Sequence, residues 1–329
     1  MRLLLTATFC LLSAPALAGV EEVIDTHALP GVARFAEATA ALDAAAAKEC
    51  TAEALRPAYH ETFDAWLGIA HLALGPLEEE GRGLTIGFWP DSRGLVGRTV
   101  AKLVADEDPV AERADDFAEV SVAGRGLFAL ERLLYDESFA GYRPDSYSCT
   151  LTRAIAQDLV RMGQEIDGGW RDSFAATLRS AGAEGNARFL SDREAAQALY
   201  TALATGLSFV ADQRLGRPMG TFDAPKPRVA EARRSGRSLR NVVLSLDALR
   251  DLARNLSDQP IPRTEAAFAA ALDRAATLQD PIFAGVADPV GRLRVEALQG
   301  LVTQINNAVA EEIAPALGVS VGFNSADGD

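Results

Sequence analysis

Residues 126–135 read GLFALERLLY and close a segment, residues 117–135, in which apolar side chains recur every three or four positions. This spacing matches the α-helical turn and predicts an amphipathic helix. On a helical wheel, Glu131 lies about 40° from Leu127, inside the apolar stripe. We therefore expect Glu131 to be a buried carboxylate that is paired, hydrogen-bonded or protonated, because an isolated buried charge is too costly.

The same helical spacing continues through most of the chain outside this segment. No stretch alternates with the period of two that marks a half-buried strand. The sequence therefore predicts an all-α fold, either one helical bundle or two bundles side by side. Further helices are predicted over residues 51–74, 151–170, 191–210, 239–256 and 288–315.

The composition argues against a nucleic-acid partner and against a membrane-spanning segment. The chain has 46 acidic and 32 basic residues and a formal net charge of −14, which disfavours nucleic acid as a partner. Hydrophobic residues make up 48% of the chain, enough to bury a core. Beyond the N-terminus, charged residues interrupt every apolar segment before the roughly 20 residues that a membrane helix needs, so no membrane span is predicted.

The N-terminus has the form of a secretory signal peptide. Arg2 precedes an apolar run over residues 3–12, and residues 16–18, Ala-Leu-Ala, provide the small side chains of a cleavage site. We expect residues 1–18 to be removed before Gly19, and the protein to be periplasmic.

Two cysteines remain after such a cleavage, Cys50 and Cys149. In an oxidising compartment disulfides form and persist, so we expect these two residues to be joined. The bridge would close a loop of about 100 residues, worth on the order of 4 kcal/mol in the chain-entropy model. The alternative is two separate buried thiols.

Histidine and aspartate residues form a candidate metal site. His60 and His71 lie eleven residues apart on the helix predicted over residues 51–74, so their side chains point within about 20° of each other. Asp64 lies between them on the same face. Residues 60–64 also approach the zinc-peptidase pattern His-Glu-x-x-His, but Asp64 stands at the last position. The alternative is a solvated polar helix face.

Arginines form a candidate anion site. Arg233, Arg237 and Arg240 follow helical spacing and predict one guanidinium face. Such a face suits a small anionic ligand or an acidic residue of a neighbouring bundle, and we expect an internal partner, with Glu131 among the candidates. Trp89, in a glycine-rich loop, is a further candidate ligand contact, with capping of the bundle as the alternative.

The segment at residues 126–135 resembles the signature of imelysin-like proteins. That signature is Gly-x-His-x-x-Glu, to which Gly126 and Glu131 correspond, while Phe128 takes the place of the histidine. The loop at residues 88–91 and the closing helix around residues 311–313 are also similar to the family, so the resemblance spans nearly the whole exported chain.

The resemblance implies two packed four-helix bundles, which we place at residues 19–185 and 186–329, with the signature near their interface. Family members are exported and tied to iron regulation, and some carry a peptidase label. We therefore expect a periplasmic binding or accessory protein for iron or another divalent metal, with Glu131 as a ligand. The alternative is a non-catalytic protein that partners an exported redox enzyme. A metallopeptidase ranks third, because no complete zinc motif is present.

Overall fold

The computed structural model describes residues 18–319, and it confirms the predicted all-α fold. Within these residues the β-type pairing consists of one isolated bridge, between Thr221 and Ala224. The helices of the first part of the chain are α1 (Ala18–Glu22), α2 (Leu29–Lys48), α3 (Ala52–Leu67), α4 (Arg82–Ile86), α5 (Leu95–Asp106), α6 (Ala114–Ala118), α7 (Gly126–Tyr135), α8 (Tyr147–Gly169) and α9 (Ala175–Arg179).

The second part of the chain is also helical, and short π and 3-10 segments connect its helices and those of the first part. The helices are α10 (Asp192–Ser208), α11 (Arg217–Met219), α12 (Ser238–Leu256), α13 (Pro262–Thr277) and α14 (Pro289–Leu317). The π segments are Val23–Ala28, Trp170–Phe174 and Phe209–Gly216. The 3-10 segments are Gly75–Leu77, Glu79–Gly81, Pro109–Glu112, Val122–Gly124, Pro227–Val229 and Ala284–Ala287.

Side-chain caps form the starts of two helices. The Ser191 hydroxyl accepts a hydrogen bond of 3.3 Å from the Glu194 amide at the start of α10. Asp288 accepts one of 2.9 Å from the Val290 amide at the start of α14. Each cap satisfies backbone amides that the first helical turn leaves unpaired. Helix α14 continues past the proline at position 315 and ends at Leu317.

Helices α2, α3, α7 and α8 make the first bundle. Helix α2 packs against α3 and α8, and α7 packs against the same two helices. Their apolar stripes meet in a core that includes Phe35, Phe63, Leu130 and Ile155, all without solvent exposure. Burial of these side chains is the main force that holds the bundle together.

The predicted disulfide is confirmed. Cys50, just before α3, is bonded to Cys149 in the first turn of α8, and their Cα atoms are 5.5 Å apart. Both residues are fully buried. The bridge therefore fixes the start of α3 to the start of α8 at one end of the first bundle.

Helices α10, α12, α13 and α14 make the second bundle. Helix α14 packs on α10 and α13, and α12 packs on α10 and α13. The core includes Leu203, Leu246, Phe268 and Ile305, which are fully buried. Helix α12 also contacts α1 and α3, so it joins the two bundles. The predicted boundary, residues 185 and 186, falls in the connection between α9 and α10.

The single helix predicted over residues 117–135 is wrong in its first half. Helix α6 ends at Ala118, and α7 begins only at Gly126, which has a φ of +68°. At this position the chain passes against α4, and a Cβ atom on Gly126 would overlap the carbonyl oxygen of Thr85. The glycine is needed for this close approach, which apolar periodicity does not reveal.

No helix within residues 18–319 is long and apolar enough to cross a membrane. The predicted signal peptide lies outside the described residues, except for Ala18.

Candidate functional site

Glu131 lies in the middle of α7 and is 3% exposed, as its place in the apolar stripe predicted. Its Oε1 atom accepts hydrogen bonds from the backbone amide and the hydroxyl of Ser235, at 2.9 and 2.8 Å. Burial raises the pKa of Glu131, and the Ser235 hydrogen bonds and the charges of Arg234 and Arg132 offset only part of the rise. Glu131 therefore binds the turn before α12 through hydrogen bonds.

A cavity of about 500 Å³ opens beside Glu131. It lies between three parts of the chain: the loop before α5, the face of α7 that carries Phe128 and Glu131, and the segment from α11 to the turn before α12. The lining residues are Phe88, Trp89, Pro90, Asp91, Ser92, Gly94, Val96, Phe128, Glu131, Arg132, Arg217, Gly220, Lys226, Arg228, Val229, Ala230, Ala232, Arg233 and Arg234.

The cavity wall is strongly basic. Two acidic residues line it, Asp91 and Glu131. The Asp91 carboxylate accepts hydrogen bonds from the backbone amides of Leu95 and Val96, at 2.8 and 2.9 Å, and so caps α5. Six basic side chains line the same cavity: Arg132, Arg217, Lys226, Arg228, Arg233 and Arg234.

Two of these basic side chains share one carboxylate. Arg132 and Arg234 both bind the Oδ2 atom of Asp136, at 2.7 and 3.1 Å. Burial raises the pKa of Asp136, but hydrogen bonds from Arg132, the Ser138 amide and Arg234 outweigh it and lower the pKa to about 2. Asp136 is therefore ionised at neutral pH and neutralises part of the charge.

The other four basic side chains form no ion pair with any acidic residue in the described part of the chain. Arg233 donates to the Arg228 carbonyl oxygen at 3.0 Å. Arg217 donates to the Ser92 hydroxyl at 2.9 Å. Burial and the neighbouring Arg234 lower the pKa of Arg233, and the charge of Glu131 offsets only part of this effect. The cavity therefore contains cationic groups whose charge no internal carboxylate balances through an ion pair.

The prediction that Arg233, Arg237 and Arg240 share one helix face is wrong. Residues 231–236 form turns, with positive φ at Ala232 and Gly236, and α12 begins only after Arg237. The turn sends Arg233 toward the cavity, while Arg237 points to α3. Arg237 and Arg240 are therefore not the partners of Glu131.

Arg237 is 1% exposed and occupies the interface between α12 and α3. Its guanidinium contacts the Asp64 carboxylate and donates to His60 Nδ1 at 2.8 Å. Arg240 binds the other Asp64 oxygen from the exposed side. His60 Nε2 lies 2.8 Å from the Tyr135 hydroxyl. The predicted metal ligands His60 and Asp64 are thus engaged in a network that fastens α12 to α3.

These contacts also change how Asp64 and His60 titrate. Burial raises the pKa of Asp64, but hydrogen bonds from Arg240 and Arg237 outweigh it, so the pKa lies below its usual value. Burial and the Arg237 charge lower the pKa of His60. The ionised Asp64 carboxylate provides the counter-charge of the buried Arg237 guanidinium, and the neutral His60 ring accepts one of its hydrogen bonds.

His71 lies outside the helix on which the sequence places it. Helix α3 ends at Leu67, and Gly68, a poor helix former, begins the turns that carry His71 away from His60. His71 Nε2 is 2.8 Å from His27 Nε2, and His27 Nδ1 is 2.7 Å from Asp251. Burial, with His27 and Arg214 nearby, holds the pKa of His71 well below its usual value.

Two aromatic residues lie between His71 and the basic cavity. Phe128 and Trp89 line the 500 Å³ cavity on one side and a smaller cavity of about 240 Å³, which includes His71, on the other. Phe128 packs edge-on against Phe63, and Trp89 packs edge-on against Phe209. Trp89 is therefore a wall residue of the site.

Comparison with known proteins shows the family to which this chain belongs. The imelysin family model (Peptidase M75) matches residues 28–308. The chain belongs to the imelysin family. In this imelysin-family protein, the motif residues Gly126 and Glu131 have the physical roles described above, a close backbone contact and a buried hydrogen-bonded carboxylate.

Named relatives agree with this assignment. The imelysin-family chain is 24% identical over 283 residues to iron-regulated protein A of Synechococcus elongatus, with 80% of this chain and 74% of the relative covered. A crystal structure of an imelysin-like protein from Psychrobacter arcticum 273-4 matches with a TM-score of 0.77 at 20% identity, over 94% of this chain and 99% of that one. A candidate iron-regulated protein A precursor from Parabacteroides distasonis ATCC 8503 matches with a TM-score of 0.68 at 14% identity, over 90% and 94%.

The residues around the cavity do not fit a bare metal cation. Phe128 replaces the signature histidine, and Oε1 of Glu131 already accepts two hydrogen bonds from Ser235. Across residues 18–319, no group of three or more His, Cys, Asp or Glu side chains is arranged to hold a metal ion. A cation in this cavity would also face the charges of Arg228 and Arg233.

Sequence reasoning missed several residues of this site. Ser235, the partner of Glu131, lies 104 positions away along the chain. Lys226 and Arg228 stand beside the arginine run, in the proline-containing stretch between α11 and α12. Their charge was the available signal, since a loop rich in basic residues beside an arginine cluster is unusual in a chain of net charge −14.

Proposed function

We propose that this imelysin-family protein is an exported binding or accessory protein in iron physiology, and that the cavity beside Glu131 is its binding site. The observation that carries the proposal is the cavity itself, about 500 Å³ in volume and placed against the signature helix α7. This volume lies within the range of roughly 300–1,000 Å³ that is usual for small-molecule sites.

The link to iron rests on the relatives. Two proteins similar to this chain are named as iron-regulated protein A or its precursor. Export is supported by the signal sequence at residues 1–18 and agrees with the Cys50–Cys149 disulfide, since disulfides persist in oxidising compartments.

Binding, rather than catalysis, is supported by the chemistry of the wall. Among the described residues that line the cavity there is no histidine or cysteine, and the hydroxyl of Ser92 is bound by Arg217. Such a wall offers charge and hydrogen-bond donors to a ligand. It offers no base beside a nucleophile.

The test is a strain that lacks the gene, complemented with wild-type protein or with a blocked variant. Ser92→Trp places an indole at the cavity mouth, and Ser173→Trp places one on an exposed surface elsewhere as the control. Under iron limitation, we expect the deletion strain and the Ser92→Trp strain to share a reduced cellular iron content, measured by mass spectrometry. Normal iron content in the deletion strain, or in the blocked strain, would contradict the proposal.

A further inference from the structure

We infer that the cavity beside Glu131 binds a small oxyanion with two or more negative charges, of the carboxylate or phosphate class. This inference rests on the proposed function, because it names the ligand of the same site. Carboxylate oxygens also bind hard metal cations, so an anion of this class is compatible with iron carried as an anionic chelate.

The first support is the sign of the local charge. The chain carries a net charge of −14, yet six basic and two acidic side chains converge on this one cavity. A cleft lined with one sign of charge concentrates the electrostatic potential and attracts counter-ions of the opposite sign. The cavity thus selects anions on a protein that otherwise repels them.

The second support is that the positive charges are held in place without being neutralised. Arg233 is fixed by the carbonyl oxygen of Arg228, and Arg217 by the hydroxyl of Ser92, and neither contact carries a full negative charge. Lys226 and Arg228 are exposed at the rim and form no ion pair within residues 18–319. Guanidinium groups positioned in this way match the paired oxygens of carboxylate and phosphate.

The third support is that Arg228 and Arg233 form no ion pair with a carboxylate of the described residues 18–319. Glu131 was the carboxylate expected to neutralise the arginine run. Its charge acts on Arg233, but its Oε1 atom accepts hydrogen bonds from Ser235 and it forms no ion pair with either arginine. Asp136 is shared by Arg132 and Arg234 and forms no ion pair with Arg228 or Arg233 in the part of the chain that the structure describes. An external anion is therefore the group that completes the ion pairing of these two arginines.

Isothermal titration calorimetry with citrate, inorganic phosphate and ferric citrate tests the inference on the exported chain in 0.15 M salt, which screens weak surface attraction. We expect wild-type protein to bind at least one of the three with one site per chain. The three arms distinguish a free polycarboxylate, a free phosphate and a metal chelate as the source of the anion. Ferrous chloride, a bare cation, should give no saturable heat.

Two matched variants locate the site. Arg228→Gln/Arg233→Gln removes two cavity charges and should weaken binding at least tenfold, because charge-assisted hydrogen bonds are lost. Arg274→Gln/Arg294→Gln removes two exposed charges outside the cavity and should leave affinity unchanged. Arg228→Lys/Arg233→Lys keeps the charge without the planar guanidinium and should bind with intermediate affinity. Unfolding curves identify any variant that is not folded.

Two results would overturn the inference. One is a wild-type protein that binds none of the three anions, whether or not ferrous chloride binds. The other is equal anion affinity in wild type and in the folded Arg228→Gln/Arg233→Gln variant. A normal iron content in the deletion strain contradicts the proposed function while leaving anion binding intact. An iron defect without anion binding contradicts only the inference.

Discussion

At the scale of single residues, Gly126 shows why a family motif includes a glycine. Its φ is +68°, and a Cβ atom would overlap the Thr85 carbonyl oxygen and lie 2.7 Å from that of Ile86. A side chain at this position meets both conformational strain and rigid backbone. The residue therefore allows α7, which carries Glu131, to pack closely on α4.

The first prediction concerns this glycine. Gly126→Ala should lower the free energy of unfolding by about 3 kcal/mol, because left-handed strain and a backbone clash act together. Gly81→Ala is the control, since Gly81 has a φ of +64° but nothing within 4 Å of its Cβ position, and it should cost only about 1 kcal/mol. Urea denaturation measures both. Equal losses would show that the contact with Thr85 is unimportant.

Glu131 is a second residue whose environment has a measurable consequence. Burial raises its pKa above the ordinary value of 4.5, so the folded state holds the proton more tightly than the unfolded state. The stability that this proton binding contributes is fully present below pH 4.5 and is lost as the pH rises through the raised pKa.

The second prediction follows from this linkage. Glu131→Gln removes the titration while it keeps shape and an acceptor for Ser235, so the variant should gain stability relative to wild type as the pH rises above 4.5. Glu131→Ala leaves the Ser235 backbone amide without its acceptor, although the Ser235 hydroxyl can still donate to the Ala232 carbonyl oxygen, and should cost about 1–3 kcal/mol more than Glu131→Gln. Urea unfolding over a pH series measures both effects. Glu137→Gln, at an exposed position, controls for the loss of a negative charge. Parallel pH profiles for wild type and Glu131→Gln would contradict the linkage.

At the scale of helices, α12 is attached to α3 by Asp64, which two arginines bind from opposite sides. The Arg237 side chain is 1% exposed and also contacts His60, whereas the Arg240 side chain is 55% exposed. The same carboxylate thus takes part in one buried and one exposed ion pair. A buried charge that loses its partner is costly, whereas an exposed pair contributes little.

The third prediction compares these two arginines. Arg237→Met should destabilise the protein by about 3–5 kcal/mol, because it leaves Asp64 without its buried partner. Arg240→Met should cost less than about 1 kcal/mol, since solvent screens the exposed pair. Combining each change with Asp64→Asn in a double-mutant cycle measures the coupling. Similar coupling energies for the two arginines would contradict the assignment of Arg237 as the interface residue.

At the scale of the whole molecule, one covalent bond and one helix connect distant parts of the chain. The disulfide spans 99 positions within the first bundle, and α12 contacts both bundles. The basic cavity is built from α7 of the first bundle and from the segment between α11 and α12, so its shape depends on how the bundles pack.

The fourth prediction concerns the disulfide. Cys50→Ala/Cys149→Ala should lower the free energy of unfolding by about 4 kcal/mol, because the unfolded chain gains the entropy of a loop of 99 positions. Chemical unfolding with and without reductant is the measurement. Reductant should bring the wild-type protein close to the variant and leave the variant itself unaffected. An equally stable variant would show that helix packing alone fixes the ends of α3 and α8.

The sequence alone determined those features that follow from the spacing of nearby residues or from the number of cysteines. The all-α fold and the burial of Glu131 follow from three- and four-residue spacing, and the start of α14 follows from its cap at Asp288. The Cys50–Cys149 bridge was predictable because only two cysteines remain outside the predicted signal sequence.

Only the tertiary structure decided which side chains meet. Glu131 binds Ser235 across 104 positions, Arg237 binds Asp64 across 173, and His71 meets His27 across 44. Helical periodicity shows which face of a helix is buried, but not which helix covers that face. The basic cavity arises because the turn at residues 231–236 separates Arg233 from Arg237. That turn is held in place by the hydrogen bonds of Ser235 to Glu131 of α7 and by the packing of α12 against α3.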